Sequence, residues 1–560
     1  MRLLHEDTLT ARIARIGLVA GFAAIVAFAG VFKMPPLDRD ESRFAQATVQ
    51  MLESGDYVSI RFQDDERNKK PAGIHWLQAA SVAAFSSVEA REIWAYRLPS
   101  ALGAVLAALF TYAIGARLYG PGAGLFAALL LASAPGLAGE ATIAKTDAML
   151  LAAIVAAQAG LIHVVAAVGD GKRPGVCWPA VFWTAIGAGV LIKGPIILMI
   201  VGLTALALFF RQKRADWIAA LRPFSGALLL VLMVAPWALA IHEATDGRFF
   251  AQAVGGDMIA KIGDAKESHG GPPGYYALLL FALFWPAAAL IAPALRLAFE
   301  TRASLASSFL IGWIAPAWII FELTATKLPH YTLPLYPAIA LLAARAATGG
   351  GADRWPVMRR AGATIFLAIG LSFAAAIAAL PLFYQDDPAL WRDFTRAGAF
   401  AGATLAVAIL YWRSRALEAT LASIALSAAL AWTLLGGAAP DLDRLALSPR
   451  IEAAIDAADL HALRDDAPPT VLSGYYEPSA IFLLGTDTIL AEGRAAAEHF
   501  AETAGAAVVE ARQASAFQGR LDELKTQAVV FAEIDGVNYS NGDEVTLLFY
   551  RLKSPAEDRH

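Results

Sequence analysis

Three acids stand within four residues of one another soon after the first apolar run, in the stretch Pro35-Pro36-Leu37-Asp38-Arg39-Asp40-Glu41-Ser42-Arg43. A carboxylate at a membrane boundary can take the proton of an acceptor hydroxyl when its pKa and geometry suit that task. The same acids can cap the helix whose spacing is read over residues 41–52, and pair with Arg39 and Arg43. Further on, Lys69 and Lys70 precede Pro71; two ammonium groups at a boundary suit a phosphate, or equally a lipid headgroup. Lys145-Thr146-Asp147 lies between two apolar runs, where an ionisable side chain is a functional candidate by default. Lys193-Gly194-Pro195 interrupts a further apolar stretch, so a helix break is expected there. His269 falls in a glycine- and proline-rich loop that also holds Lys261 and Lys266, and His330-Tyr331 follows Lys327. A lone histidine is more often structural than catalytic, so His269 and His330 gain weight only from their company.

These clusters need elements to hold them. Of the 560 residues, 58% are hydrophobic and 17% charged, far more apolar than a soluble domain. Charge-free runs such as 16–32 and 361–380 are long enough to cross a bilayer, and similar runs recur along most of the chain. Reading them against charged breaks predicts about thirteen transmembrane helices between residue 16 and residue 437. Arg12 and Arg15 precede the first run as they would in a signal peptide, but the acidic motif and the many later spans favour an uncleaved helix. An odd number of passes places the two ends on opposite sides. Short loops carrying Lys172 and Arg173, Arg211 to Arg214, Arg354 to Arg360, and Arg413 with Arg415 mark the cytoplasmic side. All the polar clusters above then fall on the other face. The apolar stretch 72–85 is read as non-spanning, within an outer loop unusually rich in cations.

From about residue 441 the composition becomes that of a soluble region. Runs at 470–473, 506–509, 528–531 and 545–550 read as strands and 494–503 as a helix, predicting a small α/β domain at 441–560 outside a membrane region at 1–440. It holds no dinucleotide or P-loop glycine pattern, and the near-neutral charge gives no reason to expect nucleic acid. The one cysteine, Cys177, cannot form an intrachain disulfide.

The chain resembles the superfamily of lipid A aminoarabinose transferases and protein O-mannosyltransferases, the GT-C glycosyltransferases. The resemblance rests on Asp38 to Arg43 with Gly55-Asp56, on Lys70-Pro71 with Trp76, on Thr146-Asp147, on Lys193-Gly194-Pro195, and on Lys327-Leu328-Pro329-His330-Tyr331 followed by Leu333-Pro334-Leu335-Tyr336-Pro337. Tyr476-Glu477-Pro478-Ser479 looks like a family element in the C-terminal region. The order and spacing of these motifs carry the match.

What the resemblance implies is a polytopic GT-C fold in a bacterial inner membrane, with its active site facing the periplasm. The implied donor is a polyprenyl-phosphate sugar and the implied acceptor is lipid A, another glycan or a protein. It also implies an acid of the first loop as general base, Asp40 with Glu41 as the alternative, and a positioning role for Asp147. Lys70, Lys193, Lys327 and Tyr331 are the expected phosphate contacts, with Arg43, Lys69, His269 and His330 as further candidates. One departure stands out: where related transferases can carry an acid just before the Lys-Pro pair, this chain has Lys69, so no metal is expected. A transporter or flippase is the competing class, since polar groups in a multi-span chain often line a substrate path. Its inverted repeat and mid-membrane charges are not seen in the sequence, whereas the polar groups gather at the boundary.

Overall fold

The computed structural model describes residues 8–253, 255, 271–464 and 467–553. Lipid offers the backbone no hydrogen-bond partner, so apolar runs must satisfy their own amides as helices. Among the described residues eight helices are long and apolar enough to cross a membrane: Leu9–Ala27, Ile93–Tyr119, Asp147–Gly169, Pro223–Ala244, Leu305–Leu323, Pro356–Tyr384, Leu390–Trp412 and Ala416–Ala438. A ninth results if Pro121–Ala132 and Pro135–Ala141, bent by 62° at their junction, form one span. Cys177–Lys193 and Ile196–Gln212 are apolar but shorter. Length and composition therefore assign fewer spans than the thirteen expected. Proline opens several of these helices, where its missing N–H and fixed φ cost nothing.

The break expected at Lys193-Gly194-Pro195 is present. Gly194 takes φ +70° after the last residue of Cys177–Lys193, and a new helix starts at Ile196. The stretch read as non-spanning forms the helix Gly73–Phe85, whose 13 residues reach only about 20 Å, short of a bilayer core. The helix predicted over 41–52 forms as Asp40–Ser54, and a short hairpin of β1 (Arg61–Phe62) and β2 (Asp65–Glu66) follows it. Ala45 and Val49 of the first of these helices share a buried cluster with Val82, Ile93, Tyr96, Phe482 and Leu483, so the loop helices are packed from the membrane side and from the C-terminal region at once.

The C-terminal region holds a five-stranded sheet in the order β4-β3-β5-β7-β6. The strands are β3 (Val471–Ser473), β4 (Ile489–Leu490), β5 (Ala507–Glu510), β6 (Ala528–Asn538) and β7 (Asp543–Leu552). β3 pairs parallel with β4 and β5; β7 runs antiparallel to β5 and β6. Helices cover both faces. Leu447, Ile451 and Ile455 pack with Leu472, Val508, Leu547 and Phe549 on one side, and Phe500, Phe517 and Leu521 pack with Val471, Val509 and Tyr550 on the other. Four strands and the helix at Gly493–Thr503 match the expected runs, and β4 adds a fifth.

Candidate active site

The first turn of the helix Asp40–Ser54 points its two acids into different surroundings. Glu41 is buried, and both its oxygens are taken. Oε1 accepts from Arg97 Nε at 2.8 Å and from the Ala144 amide at 2.7 Å; Oε2 accepts from Arg97 Nη2 at 2.7 Å and from the Leu37 amide at 2.8 Å. Arg97 spends its remaining donors on the carbonyls of Val31, Met34 and Pro35. This bidentate pair ties the loop to the second turn of the spanning helix Ile93–Tyr119. Asp40, one residue earlier, leaves its side chain 60% exposed, and Arg67 Nη2 lies 3.8 Å from its Oδ1. Arg67 in turn stacks over the Phe44 ring at 4.6 Å.

A second group of charges closes around Asp147. This residue opens the helix Asp147–Gly169, where the helix dipole favours an anion. Its Oδ1 accepts from Lys193 Nζ at 2.5 Å and lies 3.7 Å from His330 Nε2, and Oδ2 lies 3.8 Å from Lys145 Nζ. Lys145 Nζ is 3.0 Å from Glu140 Oε2 and 3.5 Å from His330 Nδ1, and that nitrogen is 3.8 Å from Glu140 Oε1. Lys193 ends its own helix, where the dipole favours a cation. Gly103 makes the arrangement possible: a Cβ there would meet the Ala148 carbonyl oxygen at 2.7 Å, so only glycine lets Ile93–Tyr119 come this close to the start of Asp147–Gly169. Burial pushes the His330 imidazole down to about 3; Asp147 pulls the other way, and Lys145 and Lys193 add to the fall. The ring is therefore neutral near pH 7. A cavity lined by Gly136, Glu140, Leu283, Pro329, His330 and Tyr336 opens beside it. The Asp40 charge reaches Lys145 and His330 only weakly, behind burial and the nearer charges.

The other expected residues take separate positions. Lys327 donates to the carbonyls of Gly271 at 3.0 Å and Pro272 at 3.3 Å, and lies 3.5 Å from Glu322, so it braces a loop. Lys69 is exposed, Lys70 and Arg43 are half-buried, and Tyr331 packs its ring near those of His330 and Phe321. His269, with Lys261 and Lys266, lies outside the described residues. Among the described residues no group of three or more His, Cys, Asp or Glu side chains is arranged to hold a metal ion.

Arg97 and Glu140 were not singled out in the sequence. Glu140 carried a usable signal, as a lone acid in an apolar run between residues 121 and 144. Arg97 sat in what reads as the flank of a span. His75 is a third such residue. It is fully buried, its Nδ1 lies 2.8 Å from Thr48 Oγ1, and burial pushes its ring down to about 3 with the Arg67 charge adding to the effect. It fastens the two loop helices together as a neutral side chain.

Comparison with known proteins places this geometry in a family. Residues 69–239 match the family described as dolichyl-phosphate-mannose-protein mannosyltransferase. The undecaprenyl phosphate-alpha-4-amino-4-deoxy-L-arabinose arabinosyl transferase of Pseudomonas aeruginosa is 30% identical over 396 residues, 68% of this chain and 70% of that one. A protein of the same name, numbered 2, from Pseudomonas fluorescens is 30% identical over 306 residues, 54% of each chain. Among solved structures, ArnT from Cupriavidus metallidurans in the apo state superposes with a TM-score of 0.73 at 18% identity, over 96% of this chain and 98% of that one. The same protein bound to undecaprenyl phosphate gives 0.72 at 19% identity, over 97% and 98%. The fold is thus shared over nearly the whole length and the sequence over two thirds of it: the chain belongs to the family of the undecaprenyl phosphate-alpha-4-amino-4-deoxy-L-arabinose arabinosyl transferases, among the GT-C glycosyltransferases.

Proposed function

We propose that this protein transfers a sugar from a polyprenyl-phosphate carrier to an acceptor at the periplasmic face of the bacterial inner membrane, with Asp40 as the general base. Family membership supports the reaction class, and the relatives' names make 4-amino-4-deoxy-L-arabinose the first sugar to test. The observation that carries the residue assignment is the contrast within one helical turn: Glu41 has every lone pair committed, while the Asp40 side chain is 60% exposed, with Arg67 at 3.8 Å. The acceptor hydroxyl gives its proton to the Asp40 carboxylate, and its oxygen attacks the anomeric carbon. The bond from that carbon to the phosphate oxygen breaks, and the polyprenyl phosphate departs with the electron pair. A single displacement of this kind inverts the anomeric centre.

Cations must stabilise the phosphate as it leaves. Of the expected contacts we propose Lys70 for this, with Arg43 and Lys69 from the same loop. Lys193 is held at 2.5 Å by Asp147 and Lys327 by two carbonyls and Glu322, so we assign these two to holding the site's shape. Asp147, His330 and Glu140 then orient the sugar.

We divide the chain into a membrane region, 1–440, and a periplasmic domain, 441–560. Thirteen passes follow if the bent pair, the two shorter apolar helices, the segment 275–300 and the segment 331–348, in which a 3-10 stretch lengthens the helix Tyr336–Thr348, join the eight long ones. The basic short loops then lie in the cytoplasm. The deciding experiment presents a panel of synthetic polyprenyl-phosphate sugars, radiolabelled in the sugar, to a membrane extract. The unmodified protein is expected to transfer one of them and Asp40→Asn none. Transfer that survives the substitution removes Asp40 from the mechanism, and transfer from no donor at all favours a transporter.

A further inference from the structure

The run Tyr476-Glu477-Pro478-Ser479 stands out in the sequence, yet nothing in the transfer chemistry uses it. In the fold it lies against the catalytic loop. Ser479 Oγ donates to Asp38 Oδ1, and the Asp38 amide donates to the Tyr539 hydroxyl. Arg39 Nη2 donates to the Ser540 carbonyl. Both holding points are braced from behind. Ser479 Oγ lies 2.6 Å from Ser448 Oγ, which lies 3.1 Å from the Tyr475 hydroxyl, all buried at the foot of the sheet. Glu477 accepts from Asn538 Nδ2 at 2.9 Å and from Ser540 Oγ at 3.1 Å, which fixes the turn between β6 and β7 that carries Tyr539 and Ser540.

What these contacts hold is the entry to the helix Asp40–Ser54. Arg39 takes φ +63° and ψ −110°, a conformation an L-residue adopts only when its surroundings impose it. The next residue is Asp40. The grip continues along the helix: Gln46 donates to Thr486 Oγ1 at 2.8 Å, and that hydroxyl donates to Glu53 at 2.8 Å. A carboxylate on the first residue of a helix goes where that residue's backbone goes. Here the backbone is set by groups more than 400 residues away in the chain.

We propose that the C-terminal sheet positions the general base: Ser479 and the Tyr539-Ser540 turn fix Asp38 and Arg39, and thereby the place of the Asp40 carboxylate. This rests on the reading of Asp40 as the base. Ser479, Tyr539 and Glu477 are positioning residues, since each acts through the loop and none faces the reacting atoms. A displacement of about 1 Å at a reacting group can cost on the order of a hundredfold in rate, so loss of one holding contact is expected to lower turnover by about ten- to a hundredfold.

The test uses the full-length protein in detergent with a polyprenyl-phosphate sugar and the variants Ser479→Ala, Tyr539→Phe and Asp40→Asn. Tyr539→Phe removes one oxygen from a partly exposed ring and keeps the test open if Ser479→Ala fails to fold. Both positioning variants should lower kcat while KM for the carrier stays within about twofold. Amide hydrogen exchange over residues 37–44 should quicken in both, with the rest of the helix Asp40–Ser54 unchanged. Parental kcat in Tyr539→Phe, with Asp40→Asn inactive, overturns the positioning role and leaves the base assignment standing. Parental kcat in Asp40→Asn overturns both. A fall confined to kcat/KM through a higher KM also overturns the proposal, because it makes the sheet part of carrier binding.

Discussion

Replacing Glu41 by glutamine tests the division of labour between neighbouring acids. The carboxylate accepts four N–H groups, two on each oxygen, and two of the four come from Arg97. An amide keeps the shape but turns one oxygen into a donor, so two of those N–H groups then face a donor. One of the two belongs to a buried guanidinium whose counter-charge has also gone. Breaking a buried ion pair from one side costs about 3–5 kcal/mol, and at about 1.4 kcal/mol per decade the folded-to-unfolded ratio falls by roughly a thousandfold. The expected result is a large loss of resistance to heat in detergent, scanned at one fixed rate, with transfer surviving in the molecules that stay folded at low temperature. Arg97→Lys should act in the same direction, since three donors replace five and at least two of the acceptors lose their partner. Asp40→Asn should do the opposite, abolishing transfer with unfolding unchanged. The reasoning is refuted if Glu41→Gln unfolds like the parent and yet transfers nothing, because Glu41 would then be acting in the chemistry.

Two further outcomes follow from the geometry. Lys193→Met strands the buried Asp147 carboxylate and Asp147→Asn strands Lys193, so each alone should destabilise by about 3 kcal/mol while the double variant costs much less than their sum; a double-mutant cycle on unfolding midpoints measures this, and simple additivity would dismiss the pair. Asp38 gives a pH dependence: burial raises its carboxyl to about 7, the Ser479 hydrogen bond opposes the rise, and the Glu477 charge adds to it. Arg39, Tyr475 and Tyr539 face the same place. A folded value above the ordinary one means the folded chain keeps a proton that the unfolded chain has lost, so burying Asp38 carries no ionisation cost below about pH 4 and a growing one as the pH rises to 7, which loosens its seat. Hydrogen exchange in the turn between β6 and β7 should quicken from pH 6 to pH 8 after correction for the intrinsic rate, and Asp38→Asn should remove the dependence.

The features that could be read from the sequence are those fixed by local pattern. The Gly194-Pro195 pair breaks its helix, the 13 residues of Gly73–Phe85 are too short to cross a bilayer, and the runs rich in β-branched and aromatic residues at 528–531 and 545–550 form strands. The count of passes was harder, because bends such as the 62° break after Ala132 cut one apolar run into two short helices. The site was legible as a set of candidates and illegible as a set of partners. Asp147 meets Lys193 across 46 residues, Glu41 meets Arg97 across 56, and Asp38 meets Ser479 across 441. Spacing along the chain carries no trace of such pairings; the packing of whole helices brings them about, down to a single glycine at position 103.

Those pairings change how the site's charge is to be read. In sequence, Lys193 looks like a cation available to a phosphate, and Lys145 like an ionisable group of no fixed role. In the fold they are matched by Glu140 and Asp147, so the buried group is close to electrically balanced with a neutral His330 at its centre. A balanced group has little long-range attraction for an anion, but it presents fixed donors and acceptors to an uncharged sugar at short range. The attraction has to come from elsewhere, and we propose the cations of the loop between residues 28 and 92 as its source: Arg43 lies on the helix that carries Asp40, and Arg67, Lys69 and Lys70 follow that helix in the chain. With the loop facing outward, as we propose, they also account for its many positive charges against the usual distribution. On this reading the phosphate is bound by the loop and the sugar by the buried group. The proposed base, Asp40, belongs to the same loop.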